Sequence, residues 1–443
     1  MSSGQKQRSK NWVNALLYAT ESLSTLLFAV VSVALIARHF GPENLARYSV
    51  AQSISAMLIV FSTLGLEQFL IRDLARNEHD ATLVSSLQVA MFAGWLLYVG
   101  LIVSYYLATG NLVRDLVLVF GVSLSALFTR VIFIKGYLQA RNHPKPIALA
   151  SLVSRVVAIT FLVVGAYAGF SYEIMMFYLP IQACVLFIVM VVSQKGFFSL
   201  MQQEKFCWTR LTSLLREASP VFVSTLLFFF FSQSDVLIMS HLLPATDVGI
   251  YSASIRLVPQ AGFIGFILVS TFYREMDNRL KEDRAAFDEF VKSVLAIKFA
   301  LGISMALVIS LSAKFVISLL YGDRYAESAS VLAIACWAWV FMFPAALYSR
   351  LLIMLGYARY ELIKMLIIAP LFLLMNYLAI SNFGIAGGAI MFVVAYFLVD
   401  FLIYFVFKET RALGLIGIKA LAEIFTEPSM TLRRSIQMLK ARG

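Results

Sequence analysis

Twelve apolar stretches recur along the chain, each close to the roughly 20 residues that a helix needs to cross a hydrocarbon core about 30 Å thick. They fall near residues 12–38, 46–69, 83–106, 113–135, 147–169, 172–192, 214–240, 247–271, 292–312, 326–350, 360–380 and 384–407. In lipid every backbone amide must find its partner inside its own segment, so a chain with this pattern folds as helices. Composition agrees: with 60% hydrophobic and 14% charged residues over 443 positions, there is too little polar surface to cover a soluble globule. The expected fold is an all-α polytopic membrane protein. Lys6, Arg8 and Lys10 before the first apolar run imitate a signal peptide. That run is too long for one, carries Glu21 and lacks a small-residue cleavage site, so it is expected to remain as the first span. Cys184, Cys207 and Cys336 form no disulfide framework by their spacing.

The stretch from Leu226 to Gln260 organises the rest. It reads as an apolar helix, a turn at Pro244 and a second helix carrying Arg256, and it repeats an earlier segment. Leu35 and Ile36, followed by His39, Pro42, Tyr48, Ser49 and Ala51, are echoed by Leu237 and Ile238, followed by His241, Pro244, Tyr251, Ser252 and Ala253. Gly136, Tyr137 and Arg141 are echoed by Gly356, Tyr357 and Arg359. The chain is therefore expected to form two pseudo-symmetric six-helix bundles around a central cavity. Residues 1–192 would be the first lobe, 193–213 a cytoplasmic linker, 214–407 the second lobe and 408–443 a basic amphipathic tail.

Lysines and arginines set the orientation. With the N-terminus in the cytoplasm, 26 of the 36 fall on that side and only Arg38, Arg47, Arg114, Lys314 and Arg324 on the other. Both termini are thus expected to be cytoplasmic. The net charge of +11 reflects this topology and contact with anionic lipid, so nucleic acid need not be invoked. In the tail, Ile418, Leu421, Ala422 and Phe425, then Leu432, Ile436 and Leu439, form apolar stripes of helices expected to lie on the inner membrane surface.

The remaining five cations, Arg130, Arg155, Arg256, Lys298 and Arg350, lie within spans beside the acids Glu21, Glu67, Asp235 and Asp400. An ionisable group at mid-membrane costs at least about 2.5 to 3.5 kcal/mol, which makes each of these a site candidate. If the cations face a common cavity, it is a basic funnel suited to an anion, with arginine the better phosphate ligand. Arg130 and Arg350 lie close enough to an interface to serve only as topology anchors. Glu21 and Asp235 have a structural ion pair as their alternative role, Asp400 reads as a lock for a neighbouring cation, and Glu67 belongs to the interface. Gln52, Gln233 and Gln260, with nearby serines, mark spans one, two, seven and eight as the polar ones, whereas spans three, six, eleven and twelve are more uniformly apolar.

There is no G-x-x-x-x-G-K-[ST] phosphate loop, and His39, His79, His143 and His241 all fall in loops, away from any clustered metal site. The exoplasmic loops are too short for the large extracytoplasmic domain of a membrane glycosyltransferase. No enzyme, metal or cofactor is expected, with a proton or sodium ion as the only coupling ligand in view.

Gly41-Pro42 before Tyr48-Ser49, Gly65-Leu66 before Ile71-Arg72-Asp73-Leu74-Ala75, Ser234-Asp235 before Val248-Gly249-Ile250-Tyr251-Ser252-Ala253, and Leu319-Leu320-Tyr321-Gly322 stand in an order that resembles the polysaccharide transporter family. That family includes the Wzx-type O-antigen flippases of the multidrug/oligosaccharidyl-lipid/polysaccharide exporter superfamily. The resemblance covers essentially the whole chain. It implies alternating access and a polyprenyl-pyrophosphate-linked oligosaccharide, moved from the inner to the outer leaflet of a bacterial inner membrane. A polysaccharide polymerase and chain-length proteins are its implied partners. On this reading Arg256, helped by Arg155, Lys298, Arg130 and Arg350 with Gln52, Gln233 and Gln260, holds the pyrophosphate and sugar. Glu21, Asp235 and Asp400 then serve ion coupling or gating. Two alternatives stay open: a multidrug or cation antiporter of the same superfamily, and a non-transporting scaffold of envelope polysaccharide assembly. The sugar composition of the cargo is not written in the sequence.

Overall fold

A computed structural model describes the chain except for residues 1–2, 67–72, 74–80, 129–130, 141–142, 194–205, 358 and 427–443. Glu67, Arg130, His79, most of the expected linker and the second half of the expected tail lie outside the described residues. The helices are α1 (Ser3–Thr63), α2 (Ala81–Ala108), α3 (Leu116–Leu127), α4 (Val131–Ala140), α5 (Pro144–Ala168), α6 (Tyr172–Met175), α7 (Tyr178–Ser193), α8 (Trp208–Leu242), α9 (Ala245–Ile255), α10 (Gly262–Glu282), α11 (Arg284–Tyr321), α12 (Ser328–Ala335), α13 (Trp339–Met354), α14 (Arg359–Asp400) and α15 (Arg411–Thr426). Among the described residues there is no strand.

Eight helical segments among the described residues are long and apolar enough to cross a membrane, which makes this a multi-pass membrane protein. Two of them, Leu23–Thr63 with 41 residues and Arg359–Phe405 with 47, have about twice the length a crossing needs. Each is broken where the sequence places a boundary between spans. Gly41 adopts φ 78° just before Pro42 in α1, and Gly384 adopts φ 56° in α14. Only glycine enters this region without strain, so both breaks are written in the residue type. The positions of the two remaining expected spans, 113–135 and 247–271, hold shorter consecutive helices, α3 with α4 and α9 with α10. Each of the twelve apolar stretches is thus mainly helical over its described residues, though not always as a single rod. The repeated segment folds as helix, turn and helix, with α8 ending at Leu242 and Pro244 preceding the first turn of α9, but Arg256, expected in the middle of the second helix, lies just past its end as the C-cap.

The chain divides into two compact units, Met1–Gln233 and Ser234–Gly443, and the division falls inside α8. In the first unit α1 packs on α2 and α5, and α5 on α7. One end of this bundle is tied by Arg47, which donates from Nε to Asp115 Oδ1 at 2.6 Å and from Nη2 to the Arg114 carbonyl at 2.7 Å. Its guanidinium also lies 4.8 Å from the Tyr172 ring centroid. In the second unit α11 is the hub, packed by α13, α15, α12 and α10. It starts on Asp283, whose carboxylate accepts from the Ala285 and Ala286 amides at 3.0 Å, and it stops at Gly322 with φ 81°. Gly302 lets the backbone of α13 approach: a Cβ there would meet Val340 Cα at 2.9 Å.

Helix α15 opens the region expected to be the tail. Leu413, Ile416 and Ala420 are buried, while Leu415, Ile418 and Phe425 are exposed. At 16 residues it is too short to span a bilayer. Lys292 of α11 holds it through Glu423 Oε2 at 3.1 Å.

Candidate functional site

In the first unit the charged groups of the spans gather around Glu21. Its carboxylate accepts from Lys135 Nζ at 3.2 Å, and its backbone carbonyl accepts from Arg155 Nη1 at 3.0 Å. Arg155 also donates to Ser24 Oγ, one turn further along α1. Ser24 and Thr25 turn their own hydroxyls back to the Glu21 carbonyl at 2.8 Å. Three helices therefore contribute: α1 the acid and the serine, α4 the lysine, α5 the arginine. Two cations meet one carboxylate, so the cluster carries a net positive charge. The Arg155 guanidinium hydrogen-bonds to neutral oxygens, and the nearby Glu21 carboxylate attracts it electrostatically. Such a group inside an apolar bundle is a ready ligand for a phosphate oxygen. The cluster stays half-buried, with Glu21 15% and Lys135 33% exposed.

Lys135 is the member that sequence reasoning misses. It falls at the last residue of an expected span and reads there as a cytoplasmic topology marker. The helix from Val131 to Ala140 instead carries it to Glu21. The intramembrane glutamate itself is the available signal, because an acid in a span needs a partner and Lys135 is a cation close to a span end.

The second unit holds a buried acid. Asp235, 7% exposed, accepts the Tyr251 hydroxyl at 2.5 Å and the Val236 amide at 2.8 Å. Arg256 is near enough to act electrostatically on Asp235. It is half-buried at the end of α9, and Gln260 Nε2 donates to its carbonyl at 3.4 Å. Beside Asp235, Ser234 Oγ accepts from Asn376 Nδ2 at 3.4 Å, and the Asn376 Oδ1 atom has no hydrogen-bond partner among the described residues. Asn376 comes from the eleventh expected span, which the sequence presents as uniformly apolar. A single amide in such a run leaves no pattern, yet it is fully buried beside the acid.

The other expected site residues are placed as follows. Lys298 is wholly enclosed, and its ammonium donates to the carbonyls of Gly265 at 2.6 Å and Phe343 at 3.0 Å. It ties α10 and α13 to α11, a geometry that occupies the ammonium with backbone oxygens and sets it apart from the funnel of cations expected for it. Asp400 pairs with Lys364, at 3.7 Å, which also binds Glu361 at 2.8 Å. Lys364 is only 3% exposed although its sequence position reads as a cytoplasmic charge. Arg350 is exposed, and Gln52 and Gln233 are half-buried in the first unit. Arg130 lies outside the described residues.

Comparison with known proteins accords with this architecture. The computed structure is similar to that of the lipid II flippase MurJ in an inward closed conformation, with a TM-score of 0.70 and 15% identity over 93% of this chain and 92% of that one. It is also similar to an inward-facing multidrug resistance MATE transporter of the MOP superfamily, with a TM-score of 0.63 and 13% identity over 91% and 96%. A point mutant of the Vibrio cholerae MATE transporter VcmN follows at a TM-score of 0.51 and 14% identity over 95% and 99%. At these identities the likeness is one of fold. No curated protein sequence matches the chain. The sequence pattern of the polysaccharide biosynthesis proteins matches residues 12–272, more than half of the chain and the whole Glu21 cluster, so the protein belongs to the polysaccharide biosynthesis protein family.

Proposed function

We propose that the protein is a flippase for a polyprenyl-pyrophosphate-linked oligosaccharide, carrying it from the inner to the outer leaflet of a bacterial inner membrane with both termini in the cytoplasm. The observation that supports this most is the net positive cluster of Lys135, Arg155 and Glu21 within the spans. Sugars and pyrophosphate cannot cross hydrocarbon unaided, whereas a polyprenyl tail is at home there. The protein need supply only a polar path and a cationic grip. Arg155 holds the pyrophosphate in this reading with Lys135 beside it, and Glu21 competes for Lys135 so that cargo is released; Arg256 is the cation that serves the cargo from the second unit. An inside-negative potential already drives an anion outward, by about 2.3 kcal/mol per charge per 100 mV, so ion coupling is an addition to the mechanism and not its source.

Asp235 is the coupling residue of this scheme. It is a buried carboxylate able to take up a proton, and its chain neighbour Ser234 accepts from the buried amide of Asn376. Asp235→Asn is expected to leave downhill movement of cargo intact and to remove its dependence on an imposed proton or sodium gradient. Equal gradient dependence in the variant and the parent would take Asp235 out of the coupling role.

The same acid, together with the fold shared with MATE transporters, favours a cation antiporter as a second reading. The excess of cations around Glu21 opposes it, since a cationic drug is repelled there. Deleting the gene from its own host separates the readings. A flippase leaves lipid-linked glycan accumulating on the inner leaflet, restored by the intact gene. Normal surface polysaccharide with altered drug tolerance would favour the antiporter, and unchanged glycan distribution with defective polymerisation a scaffold.

A further inference from the structure

The first part of α8 is held by the ends of α1 and α2 through four separate kinds of contact, all within the first unit. Leu211, Leu214 and Ala218, spaced along one helix face, are buried. Leu214 and Ala218 pack into a cluster with Leu66, Leu87 and Met91. Phe222 meets Phe61 edge to face with ring centroids 5.5 Å apart. Just before α8, the Cys207 amide donates to Ser86 Oγ at 3.2 Å, and that hydroxyl faces the Cys207 carbonyl at 3.4 Å. Arg210 reaches Asp73 at 3.4 Å.

The end of α1 is shaped for this contact. Leu64 and Gly65 both take left-handed backbone, at φ 53° and 68°, which stops the helix and turns its backbone toward α8. A Cβ on Gly65 would sit 3.0 Å from the Phe222 amide nitrogen. Glycine is thus required twice, by its dihedral and by the approach of a second backbone. A leucine at φ 53° is strained, and such strain persists only where surrounding structure enforces it. Helix α8 also has a built-in weak point. Pro220 cannot donate to the Arg216 carbonyl, and Ser219 Oγ bonds to that carbonyl instead, at 2.9 Å. Beyond this point the same helix enters the second unit, with Asp235 bound to Tyr251.

We propose that residues 206–222 form a latch, seated on the Leu64–Gly65 turn of α1 and on Ser86 of α2, which detaches and reseats in each transport cycle. The proposal rests on the flippase reading for what is transported, and on the lysine and arginine distribution for placing the latch at the cytoplasmic face. The apolar seat continues into Ile134 and Leu138 of α4, Ile147 and Ala150 of α5 and Met190 of α7, whereas the polar contacts that close it are few and partly solvated, as a reversible contact needs.

The native Cys207 permits a direct test. In a variant with Cys184→Ala, Cys336→Ala and Ser86→Cys, reconstituted in vesicles, a short reversible bis-methanethiosulfonate linker is expected to join positions 86 and 207. It should stop the movement of polyprenyl-pyrophosphate-linked glycan, which returns on reduction. Full cross-linking with unchanged transport, or no cross-linking at all, overturns the latch. If the uncross-linked variant and the parent both move no such glycan, the flippase reading fails, and the latch is decided by a measurement independent of cargo. Spin labels on Val89→Cys and Trp208→Cys, both exposed positions, with all three native cysteines replaced by alanine, are expected to show two separated distance populations in membranes. A single short distance in every lipid composition overturns it.

Discussion

Arg155→Ala is expected to abolish transport of pyrophosphate-linked cargo while the protein is still inserted at normal levels. The substitution removes the cation of the Glu21 cluster whose hydrogen bonds go to neutral oxygens and not to the carboxylate. What remains is the Lys135–Glu21 pair, which is neutral overall. Losing a charge-assisted bond to phosphate in a partly desolvated site costs on the order of 2 to 4 kcal/mol, or roughly 30- to 800-fold in affinity. Arg155→Lys keeps the charge and loses the planar fork, so it falls between the two. Arg256→Ala is expected to act in the same direction, read as loss of surface polysaccharide with unchanged membrane content. Full polysaccharide output from either alanine variant would remove the cationic grip from the scheme.

The second large effect falls on folding. Lys298→Ala removes a fully buried side chain and two bonds to the Gly265 and Phe343 carbonyls. A cavity of this kind costs about 2 to 5 kcal/mol. The variant is expected to melt well below the parent in detergent and to accumulate poorly in the membrane. Lys298→Met, which refills the space without the ammonium, should recover a large part of the loss and retain transport. A Met variant that is stable but inactive would return Lys298 to the binding site where its sequence position places it.

These two residues mark what a sequence reading reaches. Both are cations within spans, Arg155 the deeper by its position and Lys298 close enough to an interface to snorkel, and that difference in depth does not foretell their partners. Arg155 meets the Ser24 hydroxyl and the backbone of Glu21, both in a stretch of the first span that the sequence flags as polar, so its neighbourhood is partly legible. Lys298 is satisfied by backbone carbonyls, which every residue possesses and no pattern announces. Lys135 and Lys364 are hidden for a different reason. Lysines near span ends are read as topology markers, yet the helices carry Lys135 to Glu21 and bury Lys364 against Asp400. The helices themselves are far more legible, because span length, the glycines at 41 and 384, and the Pro42 and Pro244 turns are local properties of the chain. The interruption at 247–271 coincides with Pro259, which opens the short 3-10 turn between α9 and α10 and which hydropathy alone does not mark.

The most direct test of the central claim compares two cargoes in vesicles containing the purified protein: one glycan carried on polyprenyl pyrophosphate and the same glycan on an uncharged lipid of equal length. The account predicts that only the pyrophosphate-linked glycan changes leaflet at a protein-dependent rate, and that Arg155→Ala removes this movement. Equal movement of both lipids, or of neither with the parent protein, would contradict it.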